Sequence, residues 1–407
     1  MNKKRKGIIP IYFGIFIILA MLPQLFGFNG SIIDSIYKLI IIAWLFIVTT
    51  KLKIVGRVSY FTFLFMVFGV VGTIGTVAVN NTNIIEEFYI LLIGIILSVI
   101  LVESALKETT LKVVDIEVFY KIFVYFVLVA AIYNMIIHFN SLLHITSISV
   151  YNAENICSFF DNKNTYGVFL IFAVLASTIL RVISREKRWL FFSCVFLINE
   201  MMAMCRTAIV LSLLMIAISF LVDKRKRHRN IMIFLGLLIF IAIILANNVV
   251  INEYVFNNLF GSTESVDARN SYIESLLPLV KGAHFWFGYG NQGAADLAVQ
   301  YTGNVYYHNA YLKELMMGGV IKFGVQIFAI ATSFKYGLKC RKLQKTIGNL
   351  CLLSTIIYVI YVFVESVILF DTPVVAIMAV MFIISMPILF YKSLINERVI
   401  GGEKDGV

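Results

Sequence analysis

Two arginines and one histidine stand out in this 407-residue chain for the chemistry that their side chains could perform. Arg206 begins such a block in MCRTAIVL, Arg269 lies in SVDARNSYIES, and His308 lies in VYYHNAYLKEL with Asn309 and Tyr311 beside it. A guanidinium stays charged at physiological pH and can bind phosphate through two parallel hydrogen bonds. An imidazole, with an ordinary pKa of about 6.5, suits proton transfer. These residue types together predict chemistry at an anionic leaving group.

Each of the three residues also has a structural explanation. Arg206 at the end of an apolar block is equally consistent with a side chain that extends to lipid headgroups. Arg269 has Asp267 and Glu264 nearby as ion-pair partners. A single histidine near a membrane interface is more often structural than catalytic. Position alone does not separate these alternatives.

The segment FGYGNQG contains a GxGxxG pattern at Gly288, Gly290 and Gly293. A dinucleotide site is excluded because that motif works only between a strand and a helix of a βαβ unit, and this segment lies in a predicted outer loop. The glycines instead predict a tight turn that approaches a ligand closely or binds phosphate through backbone N–H groups. A plain loop turn is equally consistent with the composition.

Membrane helices must position these residues. The chain is 60% apolar and 14% charged, which excludes a soluble protein. Its apolar blocks have the length that a helix needs to cross a bilayer, and no alternating strands of a membrane barrel are seen. We therefore predict an all-α, polytopic bundle of about twelve helices, with residues 1–407 as a single transmembrane domain. The predicted spans are 8–28, 32–49, 58–79, 86–104, 118–138, 166–183, 189–204, 206–222, 231–250, 311–333, 349–366 and 373–391.

The charge pattern predicts the orientation. Lys3, Lys4, Arg5 and Lys6 precede the first span, and every second connection is basic, so both termini are expected in the cytoplasm. The formal charge of +11 comes from these clusters and does not indicate nucleic acid. Two longer connections, 139–165 and 251–310, are then outer segments. The second joins helices nine and ten and carries most of the candidate residues.

Several short motifs together resemble the O-antigen ligase and Wzy polymerase family. They are CRTA, DARNSYIES, FGYG, HNAYL followed by Gly-Gly-Val-Ile, and DNKNTYG at 161–167. Their order, spacing and common outer location carry the resemblance, which covers roughly residues 155–325. The chain departs from the family pattern at Cys205, where many members have Ser, and at Ala268, where Gly is frequent.

The resemblance implies a GT-C-like fold in a bacterial cytoplasmic membrane. It also implies metal-independent glycosyl transfer, without a cofactor, from an undecaprenyl-diphosphate-linked oligosaccharide. Arg206 and Arg269 would hold the diphosphate, and His308 would assist the acceptor hydroxyl or the diphosphate. Membrane lipids, a flippase and a chain-length regulator are the implied partners. Further substrate contacts are expected from Asn164, Gly288, Gly290, Asn309 and Tyr311.

We expect a polymerase that joins lipid-linked repeat units, with a ligase of the same family and a lipid-linked oligosaccharide flippase as alternatives. The five cysteines lack the spacing of a metal or redox motif. Cys157 and Cys205 are both expected near the outer face, which suggests a disulfide between them. Lys322 and Glu200 lie within or at the end of apolar blocks, where ionisable groups are costly. No role is assigned to them from sequence.

Overall fold

The computed structural model describes residues 9–25, 59–82, 87, 96–148, 153–160, 162–221, 272–303, 307–369 and 374–402. Every regular element in these ranges is a helix, so the predicted all-α fold is confirmed. The chain forms two compact units. The first contains Met1–Ala20, Ile32–Ile116 and Glu264–Val407, and the second contains Met21–Ser31 and Glu117–Thr263.

The helices are numbered in chain order. They are α1 (Ile9–Leu25), α2 (Tyr60–Asn80), α3 (Ile96–Lys107), α4 (Val113–Ile137), α5 (Phe139–Leu143), α6 (Lys163–Ser184), α7 (Arg188–Met202), α8 (Arg206–Leu221), α9 (Ala283–Phe287), α10 (Gly290–Thr302), α11 (Ala310–Leu343), α12 (Lys345–Val364), α13 (Val374–Val380) and α14 (Met386–Gly402). A π-helical segment, Met381–Ser385, joins the last two.

Six helices in the described ranges are long and apolar enough to cross a bilayer, which confirms a multi-pass membrane protein. They are Thr62–Asn80, Val113–Ile137, Lys163–Ser184, Ala310–Leu343, Lys345–Val364 and Val374–Arg398. The predicted spans 32–49 and 231–250 lie outside the described residues, as does part of 86–104. The total of twelve therefore stays a prediction.

Short polar side chains fix where three of the long helices begin. Ser59, Asn162 and Asn309 are the N-caps of α2, α6 and α11, and each accepts a hydrogen bond from the backbone N–H three residues later. A capped N–H needs no water, so these helices can start at a defined residue within or near the membrane. The caps set the positions of the candidate residues that follow them.

Helix α11 is the central element of the first unit and packs against α12 and α14. It bends at Gly319, whose φ of +63° is not helical, and it continues to Leu343, beyond the predicted span 311–333. Hydropathy marks where the apolar block ends, whereas the basic residues that follow still form helix. Near that end Lys339 Nζ lies 5.1 Å from the ring centroids of both Tyr336 and Tyr391.

The π-helical segment is fully buried and is bonded to α11. The Ser333 hydroxyl donates to the Ile383 carbonyl and lies 2.6 Å from the Thr355 hydroxyl of α12. A π turn leaves backbone groups without their usual helical partners. Ser333 supplies such a partner inside the buried core.

Helix α6 is the core of the second unit. Its residues from Tyr166 to Leu180 are all buried, and it packs against α7 and α8. Aromatic contacts join it to α4, with Phe123 and Phe169 stacked at 6.0 Å between ring centroids. This central position fixes the first turn of α6, which carries the predicted residue Asn164.

Candidate functional site

Arg206 is the first residue of α8 and follows a tight turn after α7. Met204 in this turn has a φ of +53°, which non-glycine residues rarely adopt. The Cys205 N–H donates to the Glu200 carbonyl at 2.9 Å, and the Arg206 N–H donates to the Met204 carbonyl at 3.0 Å. Met204 is buried in a cluster with Ile148, Ala153, Ile156, Met202 and Ile209. Backbone bonds and this burial give the base of the Arg206 side chain a defined position.

The first turn of α6 lies beside Arg206. Cys205 Sγ donates to the Lys163 carbonyl at 3.3 Å, and a Cβ added to Gly167 would lie 2.7 Å from the same sulfur. Asn164 is exposed in this first turn. Helix N-termini carry partial positive charge, so two adjacent N-termini and a guanidinium together favour an anion. We call this arrangement, formed by Lys163, Asn164, Cys205 and Arg206, the Arg206 corner.

A buried amide network connects α4, α6 and α7 within the same unit. Asn199 Oδ1 accepts hydrogen bonds from Asn134 Nδ2 at 3.0 Å and from the Tyr166 hydroxyl at 2.9 Å. Asn134 Oδ1 accepts from the Ser158 N–H at 2.9 Å. A satisfied network in a low-dielectric interior holds helices in one arrangement. This network is not among the sequence predictions, although two asparagines inside apolar blocks were a signal.

Glu200, at the end of α7, is fully buried. Its Oε1 accepts from the Ser212 hydroxyl of α8 at 2.7 Å, whereas Oε2 has no hydrogen-bond partner among the described residues. Glu200 thus links the two helices that flank the turn before Arg206. It is a packing contact of the corner rather than an exposed ligand.

His308 lies between two anchored residues just before α11. The buried Tyr307 donates its hydroxyl hydrogen to the Ala294 carbonyl of α10, and burial raises the pKa of this phenol, so it remains a donor. Asn309 is the N-cap of α11. His308 has a φ of +48°, and its ring meets that of Tyr272 edge to face at 6.2 Å between centroids. Such a backbone conformation is strained for histidine and persists because both neighbours are fixed.

The FGYG segment, residues 287–290, is attached to α2. Thr76 Oγ1 donates to the Phe287 carbonyl at 2.6 Å, and Asn80 Nδ2 donates to the Gly288 carbonyl at 2.9 Å. A Cβ on Gly75 of α2 would overlap the Phe287 ring. The segment therefore lies directly on the surface of a membrane-spanning helix.

The same segment also packs against the bend in α11. Gly288 has a φ of +66°, and a Cβ there would lie 2.5 Å from the backbone nitrogen of Gly318. A Cβ on Gly319 would overlap the Trp286 backbone. These contacts require glycine on both sides, because any side chain would separate the two backbones. Gly288 forms the predicted tight turn, and its close neighbour is the protein's own helix.

The Glu87 carboxylate lies at the N-terminal end of α10, a contact that is not among the sequence predictions. Its Oε1 accepts from the Asn291 N–H at 2.6 Å and would lie 2.7 Å from a Cβ on Gly290. Its Oε2 lies 3.6 Å from Lys322 Nζ of α11, and both side chains are largely buried. The anion at this glycine is thus the chain's own carboxylate. A phosphate contact by Gly288 or Gly290 stays a prediction. The available signal was IIEEFYI, a charged pair beginning an apolar block.

The predicted site residues fall in both units. Asn164 and Arg206 are adjacent in the second unit. In the first unit His308 precedes the N-cap Asn309, and Tyr311 lies in the first turn of α11, where its hydroxyl donates to the Val359 carbonyl at 3.3 Å. Arg269 lies outside the described residues. Their roles in binding and catalysis stay predictions.

The suggested disulfide is wrong, because Cys157 and Cys205 are not joined. The Cys157 thiol donates to the Phe160 carbonyl at 3.2 Å, and the Cys205 thiol donates to the Lys163 carbonyl. Within the described ranges, no three His, Cys, Asp or Glu side chains form a group that could hold a metal ion.

Part of the chain matches a known protein family. Residues 191–325 match a family model described as O-antigen ligase, over roughly one third of the chain. The matched range contains the turn before Arg206, the FGYG segment and His308, whereas Asn164 precedes it. No curated protein matches the chain significantly.

Proposed function

We propose that this chain, which by the match over residues 191–325 belongs to the O-antigen ligase and Wzy polymerase family, is a polysaccharide polymerase. The family match supports a glycosyltransferase-like enzyme that acts on lipid-linked glycans. In our proposal it joins undecaprenyl-diphosphate-linked repeat units into capsule, exopolysaccharide or O-antigen at the outer face of a bacterial cytoplasmic membrane. The observation that carries the proposal is Arg206, within the matched range, at two adjacent helix N-termini.

The chemistry needs a stabilised leaving group and an activated acceptor. The bond from the anomeric carbon to the diphosphate oxygen breaks, and a bond from that carbon to an acceptor hydroxyl oxygen forms. Negative charge grows on the diphosphate, where Arg206 and Arg269 stabilise it more in the transition state than in the ground state. His308 accepts the proton of the acceptor hydroxyl or contacts the diphosphate. In this proposal Arg206 and Arg269 provide the positive charge that a metal ion provides in metal-dependent enzymes.

Gene deletion in the host tests the proposal, with separation of lipid-linked and surface glycans on a gel. Single repeat units on the surface, without a ladder, are the expected result for a polymerase. Full-length chains that remain on undecaprenyl diphosphate would instead identify a ligase. Units trapped on the cytoplasmic side would identify a flippase and would overturn the assignment as a glycosyltransferase.

Arg269→Ala tests the diphosphate contact in the same assay. We expect no polymer, with the protein still present in the membrane. Lys281→Ala is the matched control, because Lys281 is an exposed cation of the same predicted outer segment. Normal polymer from the Arg269→Ala strain would overturn the two-arginine site, and a reporter fused after residue 280 that reads cytoplasmic would overturn the orientation.

A further inference from the structure

The short helix α9 and the FGYG segment lie well inside the ends of two membrane-spanning helices. Gly319, which meets the Trp286 backbone, is nine residues after the start of α11, or about 14 Å at about 1.5 Å per residue. Gly75, which meets the Phe287 ring, is five residues before the end of α2, or about 7 Å. A loop in water would contact only the ends of these helices. This segment contacts both helices at positions away from their ends.

The hydrogen bonding of the segment is the kind that membrane depth requires. Irregular backbone is tolerated inside a bilayer only where protein satisfies its polar groups. Here the partners are groups of the protein itself. Thr76 and Asn80 of α2 donate to the Phe287 and Gly288 carbonyls, the Met316 carbonyl of α11 accepts from the Tyr289 N–H, and the Glu87 carboxylate accepts from the Asn291 N–H. The protein thus supplies what water supplies to an outer loop.

The outward face of α9 is aromatic. Phe285 is 42% exposed and Trp286 is 54% exposed, with their rings edge to face at 5.3 Å. Beside the contact point on α2, Val71 and Ile74 are also exposed, and on a membrane-spanning helix such side chains meet lipid. Tryptophan is enriched where hydrocarbon meets headgroups. The exposed surface of α9 therefore continues a lipid-facing surface.

We propose that residues 283–291 form a re-entrant element that enters the membrane between α2 and α11 and presents Phe285 and Trp286 to bilayer lipid. This inference rests on α2 and α11 crossing the membrane and is independent of the glycan chemistry. It changes the predicted outer segment 251–310 from a loop in water to one that enters the bilayer at α9 and the start of α10.

Tryptophan fluorescence of the full-length protein in lipid nanodiscs tests the proposal. The difference between the wild type and Trp286→Phe isolates the emission of Trp286 from that of Trp44 and Trp189. We expect this emission to be quenched by lipids brominated near the headgroup and protected from aqueous acrylamide. Acrylamide quenching with no effect of brominated lipid would overturn the proposal. Acrylamide quenching that added oligosaccharide relieves would overturn it too and identify a glycan-binding surface.

A pair of glycine variants tests the packing. Gly75→Ala places a methyl group against the Phe287 ring, so we expect the element to be displaced and Trp286 to lose its protection from acrylamide. Gly324→Ala is the control, because a Cβ at this other helical glycine meets nothing within 4 Å. Equal protection of Trp286 in both variants would overturn the contact with α2. Should Gly75→Ala fail to fold, the difference with Trp286→Phe still decides the question.

Discussion

The Arg206 corner and the segment before His308 are positioned by different physical means. At the corner, side-chain contacts hold α6, α7 and α8 together. These contacts are a buried amide network, the Cys205 thiol and the Met204 cluster. Before His308, Thr76 and Asn80 bond the segment to α2, and Gly288 and Gly319 let two backbones meet with no side chain between them. The first arrangement spreads its stability over many groups. The second also requires that neither Gly288 nor Gly319 carry a Cβ.

This difference predicts different responses to substitution. Removing one partner from a hydrogen-bond network costs about 1–3 kcal/mol for each buried group left unsatisfied, and neighbours remain. Adding one methyl group between two backbones in contact is not a limited loss of this kind, because the two backbones can separate only if a whole helix moves. Substitutions that act on chemistry alone should leave both regions folded. The following predictions separate the three cases.

Substitution of Arg206 should have the largest effect on activity. Arg206→Ala is expected to reduce polymer formation by about a hundredfold or more, because a fixed donor to the leaving group is lost. Arg206→Lys should restore only part of it, since an ammonium cannot form the two parallel bonds of a guanidinium. Thermal unfolding should change little, because backbone bonds fix the turn. Equal loss of stability and activity would make Arg206 a packing residue.

His308→Asn separates the imidazole from its backbone. Asparagine tolerates the left-handed conformation better than most residues, so the fold should persist. Activity should fall by about a hundredfold if the ring transfers a proton in the transition state. Glycan synthesis by purified protein, measured against acceptor concentration, would show the loss in kcat. Full activity of His308→Asn would leave His308 a structural role alone.

Substitutions at Glu87 and Lys322 test the charged contact in the first unit. Breaking a buried ion pair by removing one partner costs about 3–5 kcal/mol, whereas replacing both with uncharged groups is often tolerated. We expect Glu87→Gln and Lys322→Met each to lower the unfolding temperature in detergent, and the double variant to recover most of it. A double variant as unstable as the sum of the two would exclude the pairing.

Substitutions at the two glycines that flank α9 distinguish the cost of steric crowding from the cost of backbone strain. Gly282 and Gly288 have similar backbone angles, with φ of +59° and +66°, but a Cβ at Gly282 meets nothing within 4 Å. Gly282→Ala should cost only backbone strain, about 1–3 kcal/mol. Gly288→Ala should lower the free energy of unfolding by more than this. The measurement is dye labelling of the buried thiols Cys340 and Cys351 during heating, which reports unfolding. Equal costs would mean that the contact with Gly318 relaxes easily.

Cys205→Ser should have the smallest effect. A hydroxyl can donate to the Lys163 carbonyl as the thiol does, and the smaller oxygen fits beside Gly167, which has no Cβ. The change in unfolding free energy should stay within about 1 kcal/mol, and activity should be retained. A large loss of activity without loss of stability would give the thiol itself a role in the Arg206 corner.

Much of the fold could be predicted from the sequence because the bilayer restricts what an apolar block can do. Blocks of the required length become helices, and 166–183, 349–366 and 189–204 were placed within a few residues of α6, α12 and α7. Arg206 was correctly placed at the beginning of a helix. The end of α11 was not, since its basic extension is helical without being apolar.

The contacts of the site could not be predicted in the same way. Glu87 and Asn291 are 204 residues apart, and neither residue type reveals its partner. The glycines of FGYG indicated a tight turn, yet only the structure shows that the crowding group is the α11 backbone. The amides of Asn134 and Asn199 were visible as polar residues in apolar blocks, but their pairing depends on how α4 and α7 pack.

The π-helical segment Met381–Ser385 sets the direction in which later side chains of the last membrane helix point, without deciding whether this helix is long enough to cross the membrane. Each residue of an α-helix turns the chain by about 100°, so deleting one residue here would restore regular helix and rotate everything after it. The helix would still cross the membrane. Pro387, however, would no longer offer its carbonyl to Cys340, and Asn396 would turn away from the Leu111 carbonyl. In this chain, an insertion or deletion at 381–385 would rotate the rest of the helix, which would change its packing without changing its hydropathy.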